Sequence, residues 1–320
     1  MQFPGWLGPF FRDLSNQVGA GDMCHAIRRS SFLTASLMLL LSGCRVLGPL
    51  SPLRPVEQVL IYPQSIAPSQ SSEVKGDGAQ VWIETDRGQF LEGRYVRHPN
   101  PQAVALYCHG NIGTVDKWSV LAGRLSRMHR MSVLAFDYPG YGRSEGRTNE
   151  RNILKDAEAA RAWLARENGI RESDIVLIGR SLGGAVAVDL AASKGARGLI
   201  LESTFSSLPD VAEYHAAWLF PEWNMTQRMN SVEKIRNYSG PLLQSHGDAD
   251  RVVPIALGKE LFDAAPGRKQ FIVAHGGNHN DDHIRYCSEV REKFLRSLPP
   301  VQRVELSPTE AARSSIMVVR

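Results

Sequence analysis

The stretch Asp174-Ile175-Val176-Leu177-Ile178-Gly179-Arg180-Ser181-Leu182-Gly183-Gly184-Ala185-Val186-Ala187 decides the fold. After Asp174, Ile175-Val176-Leu177-Ile178 form a short run of β-branched and apolar side chains, which suits a strand buried on both faces. A single glycine follows, and from Leu182 the small residues let a helix pack close to that strand. Such an abrupt strand-to-helix change exposes the Ser181 hydroxyl at the corner and aims amides and the helix dipole at it. Outward in both directions the same alternation repeats. Strands are expected at Val81 to Thr85, Ala103 to Cys108, Ser132 to Asp137, Gly198 to Glu202, Pro241 to His246 and Gln270 to His275. Helices are expected at Val115 to His129, Glu150 to Asn168, Leu182 to Ser193, Ile255 to Ala265 and Asp281 to Ser297. The economical arrangement is one α/β domain over residues 79–298, a mostly parallel sheet flanked by helices.

Two segments match Gly-x-Ser-x-Gly, at Gly142–Gly146 and Gly179–Gly183, so pattern alone cannot select the nucleophile. Context does. Ser181 has a strand immediately before it and a helix immediately after. Ser144 lies beyond Pro139, Gly140 and Gly142 and is followed by another glycine, as a loop serine would be.

A serine hydroxyl attacks only when a base takes its proton, and that base needs an orienting carboxylate. With the chain order Ser, acid, His, both partners fall on later strand-end loops. His246-Gly247-Asp248-Ala249-Asp250 offers two carboxylates, of which Asp250, deeper in the loop, is favoured over Asp248. His275-Gly276-Gly277-Asn278-His279 offers the base, with His279 preferred because His275 still belongs to the strand and His283 falls inside the next helix. The oxyanion that forms needs two amides. Leu182 supplies one by following the nucleophile, and Asn111, in the loop after the strand ending at Cys108, supplies the other. His109 precedes the serine and is read as a loop-shaping residue.

These motifs resemble the α/β-hydrolase superfamily, in the branch with serine-aminopeptidase-like, monoacylglycerol-lipase-like and acyl-protein-thioesterase-like members. His109-Gly110-Asn111, Phe136 through Ser144, Gly179 through Gly183, His246-Gly247 with Asp250 and Pro254, and Gly277 with His279-Asn280-Asp281 follow one another in family order. The resemblance implies the triad Ser181, Asp250 and His279, makes the motif around Ser144 part of the fold, and requires neither cofactor nor metal. It implies a small-molecule acyl substrate, ester or thioester; an amidase of the same fold and a lipid-anchored binding protein with an unused triad are the alternatives.

Between Glu202 and Pro241 lie 38 residues, longer than a usual connection and read as a small helical cap over about 203–240. Its aromatic residues, Trp218, Phe220 and Trp223 among them, are expected to line the substrate pocket.

The N-terminal part reads differently. Phe32 to Leu41 is ten apolar residues, which as a helix rise about 15 Å and cannot cross a hydrocarbon core of about 30 Å. Arg28 and Arg29 precede this run and Leu41-Ser42-Gly43-Cys44 closes it, the order of a secretory signal. That ending resembles the lipobox of bacterial lipoproteins, which implies a signal peptide over 1–43, with translation from Met23 giving a leader of normal length, and an acylated Cys44 as mature N-terminus. Several acyl chains would anchor the protein stably to membrane. Arg45 after the cysteine, by resemblance to enterobacterial sorting, places it on the outer membrane facing the periplasm. Residues 44–78, rich in Pro, Ser and Gln, read as a tether, and 299–320 as a loosely held tail.

Composition excludes other classes. The 37 basic and 33 acidic residues of this 320-residue chain leave a net charge of +4 with no polybasic block, so nucleic-acid binding has no footprint. Four cysteines, widely spaced, form neither a zinc site nor a disulfide framework; Cys108 and Cys287 are expected as buried or helical thiols.

Overall fold

A computed structural model describes residues 54–65 and 76–302. Its core is an eight-stranded sheet. In chain order the strands are β1 (Ala79–Glu84), β2 (Phe90–Val96), β3 (Ala103–Cys108), β4 (Met131–Phe136), β5 (Val176–Arg180), β6 (Gly198–Glu202), β7 (Leu242–Gly247) and β8 (Lys269–Ala274). They lie side by side as β1-β2-β4-β3-β5-β6-β7-β8. β2 runs antiparallel to β1 and β4, and every pairing from β4 to β8 is parallel. The expected mostly parallel sheet flanked by helices is therefore what this chain forms.

The period-two alternation of strand side chains divides the interior into two layers. Val104, Leu106 and Leu177 point into one, with helix α3 (Glu150–Asn168) and helix α4 (Leu182–Lys194). Tyr107, Val176, Ile178 and Ile200 point into the other, against helix α2 (Val115–His129) and helix α9 (His283–Arg296). Both α2 and α3 have the predicted limits. Asn149 caps α3 by accepting from the Asn152 amide at 2.9 Å, and Gly169, at φ 58°, closes it in the left-handed conformation that glycine adopts without cost. The N-terminus of α2 is capped from a distance, since the Asp137 carboxylate accepts from the Val115 amide at 2.7 Å.

Two elements were not expected. β2, Phe-Leu-Glu-Gly-Arg-Tyr-Val, carries charges and a glycine in place of an alternating apolar pattern. It forms a strand by pairing antiparallel with both β1 and β4, and its buried Glu92 is held by Arg143, whose Nε donates to it at 2.8 Å. The second is a helix within the stretch read as tether. Helix α1 (Arg54–Ile61) folds onto the domain: Glu57 accepts from the Thr226 amide at 2.9 Å, the Thr226 hydroxyl at 2.6 Å and the Gln227 amide at 3.1 Å. Tyr62 behind it is fully buried and its hydroxyl donates to Gln227 at 3.2 Å. A tether over 44–78 is thus too long by at least these residues; flanking prolines masked a helix whose fixation depends on partners some 170 positions away.

Between β6 and β7 the chain forms helix α5 (Leu208–Ala216), helix α6 (Pro221–Asn224) and helix α7 (Ser231–Lys234); helix α8 (Ile255–Ala264) follows β7. His215 in α5 bonds the Val252 carbonyl at 2.8 Å, tying this excursion to the loop that follows β7. Met23, Cys44 and the whole proposed signal lie outside the described residues, as does the tail beyond 302.

Candidate active site

The corner after β5 has a backbone that few residues accept. Ser181 has φ 51° and ψ −120°, a conformation that costs a side-chain-bearing residue on the order of 1–3 kcal/mol and persists only when its surroundings impose it. Those surroundings are specific. The Ser181 amide donates to the Glu202 carbonyl at 2.9 Å, and the Thr204 hydroxyl donates to the Ser181 carbonyl at 2.9 Å. A Cβ on Gly179 would lie 2.3 Å from the Gly183 carbonyl oxygen, and one on Gly183 would lie 2.0 Å from that of Cys108. Both glycines of the motif are therefore required by close approach of backbone to backbone.

The structure brings the three predicted side chains together. His279 Nε2 stands 3.0 Å from Ser181 Oγ, and His279 Nδ1 stands 2.8 Å from Asp250 Oδ2. Burial by itself would raise the Asp250 carboxyl. Hydrogen bonds from His246 and His279, with the amide of Val253, outweigh burial and hold it well below the ordinary carboxylate range. Asp250 is thus charged, so Nδ1 donates and Nε2 is left to accept the serine proton. Asp248 is excluded from this role because it faces away, accepting from the Gly276 amide at 2.6 Å and pairing with His275 at 2.9 Å.

Around the hydroxyl, Leu182 opens α4, where its amide has no carbonyl one turn earlier to bond. The loop after β3 comes alongside, since a Cβ on Gly110 would be 3.7 Å from that of Ser181. Asn111 in that loop has its carbonyl bonded by Tyr141 at 3.0 Å and its side chain donating to the Leu60 carbonyl at 3.5 Å. His109 shapes this loop from a buried position, 3.4 Å from Asp137 and with its ring 4.3 Å from that of Tyr138.

Ser144 is where a loop serine belongs. Its hydroxyl donates to the Asp137 carbonyl at 2.9 Å and accepts from the Glu92 amide at 2.9 Å, fastening the loop to β2. Ser144→Ala would strand both backbone groups, so chemical denaturation is expected to show a loss of about 1–3 kcal/mol while hydrolysis by the folded fraction is retained.

Trp218, Phe220 and Trp223 depart from expectation. They are 59%, 65% and 76% exposed and form an open apolar surface on the cap rather than an enclosed lining. Their aromatic character was legible, but the side of the cap they occupy depends on helices too short to show a periodic face. Sequence reasoning also passed over His246, a second imidazole 3.4 Å from Asp250 whose Nε2 lies 2.8 Å from the Val253 carbonyl. Its place directly before Gly247 at a strand end was the available signal. Cys108 and Cys287 are free and buried.

A strained serine between strand and helix, an imidazole and a carboxylate from two later loops, and a parallel sheet that orders all three define an α/β hydrolase. The chain belongs to the α/β-hydrolase family. The family profile, described as alpha/beta hydrolase fold, matches residues 105–232. The chain is 36% identical over 242 residues to an uncharacterized protein of Mycobacterium tuberculosis, covering 74% of this chain and 86% of that protein. It is 30% identical over 238 residues to alpha/beta hydrolase domain-containing protein 17B of Homo sapiens, covering 72% and 80%. Among solved structures, an α/β hydrolase from Vibrio vulnificus superposes with a TM-score of 0.62 at 19% identity, over 77% of this chain and 94% of that one. The Pyrococcus furiosus esterase Pf2001 superposes with a TM-score of 0.58 at 18% identity, over 71% and 92%. These two likenesses show the fold.

Proposed function

We propose that this protein is a serine hydrolase that cleaves acyl esters or thioesters through an acyl-enzyme on Ser181, held at the bacterial envelope by lipid on Cys44. The observation that carries the chemistry is the continuous line from Asp250 Oδ2 through His279 to Ser181 Oγ, at 2.8 and 3.0 Å. His279 takes the hydroxyl proton as Oγ attacks the acyl carbon, and Asp250 stabilises the imidazolium that results. The amides of Leu182 and Asn111 receive the oxyanion; the carbonyl and side-chain nitrogen of Asn111 are already engaged. Collapse of the tetrahedral intermediate expels the alcohol or thiol, which takes the proton from His279. Water, deprotonated by the same imidazole, then releases the acid and restores Ser181.

Ester cleavage is favoured over amide cleavage by the esterase among the structural neighbours. The envelope location is supported by the order of Arg28, Arg29, Phe32 to Leu41 and Leu-Ser-Gly-Cys at 41–44. Peptide mass spectrometry after treatment with a fluorophosphonate tests both parts. The expected result is one adduct, on the peptide containing Ser181, and a mature N-terminal peptide beginning at Cys44 with added acyl mass. An adduct elsewhere would overturn the chemistry; an unmodified Cys44 within a longer peptide would overturn the anchor alone.

A further inference from the structure

The position between Gly179 and Ser181 holds an arginine whose side chain reaches neither the serine hydroxyl nor the imidazole. It reaches the backbone that carries the imidazole. Arg180 Nη2 donates to the His279 carbonyl at 2.6 Å, and both terminal nitrogens donate to the Asp281 carbonyl, at 3.2 and 3.3 Å. The loop so held contains Gly276 and Gly277, which give it more conformational freedom than any other pair would. Its turn is closed internally, since the Asn278 amide donates to Asp281 and the Asn278 side chain accepts from the His279 amide, each at 2.8 Å. Arg180 fixes that turn to the sheet.

The guanidinium is itself backed by charge. Arg180 and Glu202 are register partners on β5 and β6, and Nη1 lies 3.8 Å from Glu202 Oε2. Arg291, in the helix that follows the loop, donates to Glu202 Oε1 at 2.6 Å. All three side chains are buried. The planar guanidinium meets both carbonyls with a preset geometry that the ammonium of lysine, a point charge on a flexible stem, lacks.

We infer that Arg180 is a positioning residue that sets the distance between His279 and Ser181, with Glu202, itself held by Arg291, backing the guanidinium by charge. The nucleophile and its base stand 98 positions apart in the chain, and the side chain next to one grips the backbone of the other. Because a misplacement of about 1 Å can cost roughly a hundredfold in rate, loss of this grip acts on turnover and not on substrate binding.

The inference rests on the proposed role of Ser181, and the test keeps the two apart. Arg180→Met, Arg180→Lys and Ser181→Ala are made in the full chain, active sites are counted by fluorophosphonate titration carried to completion, and kcat per titrated site is measured on a short-chain aryl ester. Arg180→Met is expected to lower kcat per site about 10- to 100-fold with KM within about threefold. Its low-field Nδ1 proton resonance from His279 is expected to broaden. Arg180→Lys retains the charge beside Glu202, so it folds even where the methionine variant does not, and it recovers only part of the rate because its ammonium lacks the guanidinium's preset geometry. Wild-type kcat per site in whichever variant folds, whatever its thermal stability, overturns the inference. Wild-type turnover by Ser181→Ala would instead overturn the reading on which it rests.

Discussion

Ser181→Ala is expected to reduce hydrolysis of short-chain aryl esters by on the order of 10⁴-fold or more, because removing the nucleophile disables the base and the carboxylate with it. The substitution leaves the corner itself intact. The Ser181 amide still meets the Glu202 carbonyl and its carbonyl still meets Thr204, so the melting temperature should change little. Ser181→Gly separates strain from chemistry. Glycine adopts φ 51° without a Cβ penalty, so that variant is expected to be equally inactive yet more stable by about 1 kcal/mol in denaturant unfolding. Loss of activity together with a gain in stability would mark this serine as a residue the fold tolerates for its chemistry. Undiminished turnover in both variants would leave the proposed mechanism without a nucleophile.

Asp250→Asn is expected to have the next largest effect. The amide presents a hydrogen bond donor or a weaker acceptor to His279 Nδ1, disturbing the tautomer that leaves Nε2 free to accept a proton. Turnover should fall by on the order of 10³- to 10⁴-fold with KM little altered. Its stability should depend on pH in a definite sense. The Asp250 carboxyl is held below the ordinary range in the folded protein, whereas in the unfolded chain it titrates near 3.9. The stabilisation by the carboxylate is therefore fully present above the unfolded value and is lost as pH falls through the lower folded one. Urea unfolding of wild type and Asp250→Asn should consequently differ most at neutral pH and converge on acidification below about pH 4. A gap that widened toward acid would contradict the hydrogen bonds from His246 and His279 as the source of the shift.

How much of this was legible in the sequence follows from the range of each interaction. The corner at Ser181 was readable because its determinants are contiguous: an apolar run, a glycine, a serine and small residues. The two long helices before it had local caps or periodicity and fell at their observed limits. β2 was missed because its charges break the apolar alternation, and the partner that makes burial of Glu92 tolerable, Arg143, comes from the loop that follows β4. The choice between Asp248 and Asp250 rested on loop depth alone; what separates them is that His275 and the Gly276 amide engage the first. Arg180 was visible as a letter in a motif, but its contacts lie on a loop about 100 residues further on. The exposed aromatic residues of the cap show the same limit, since composition gives character and packing gives direction.

Helix α1 changes where this enzyme fold should be considered to begin. Its Glu57 gathers three donors from Thr226 and Gln227, and its Leu60 carbonyl receives the Asn111 side chain from the loop beside Ser181. A recombinant form trimmed at Gly78, where the first strand invites a cut, would strip a buckle from two loops at once and hand those donors to water. The proposed lipid graft upstream of Arg54 would thus join the domain through a helix that bonds the Asn111 loop directly.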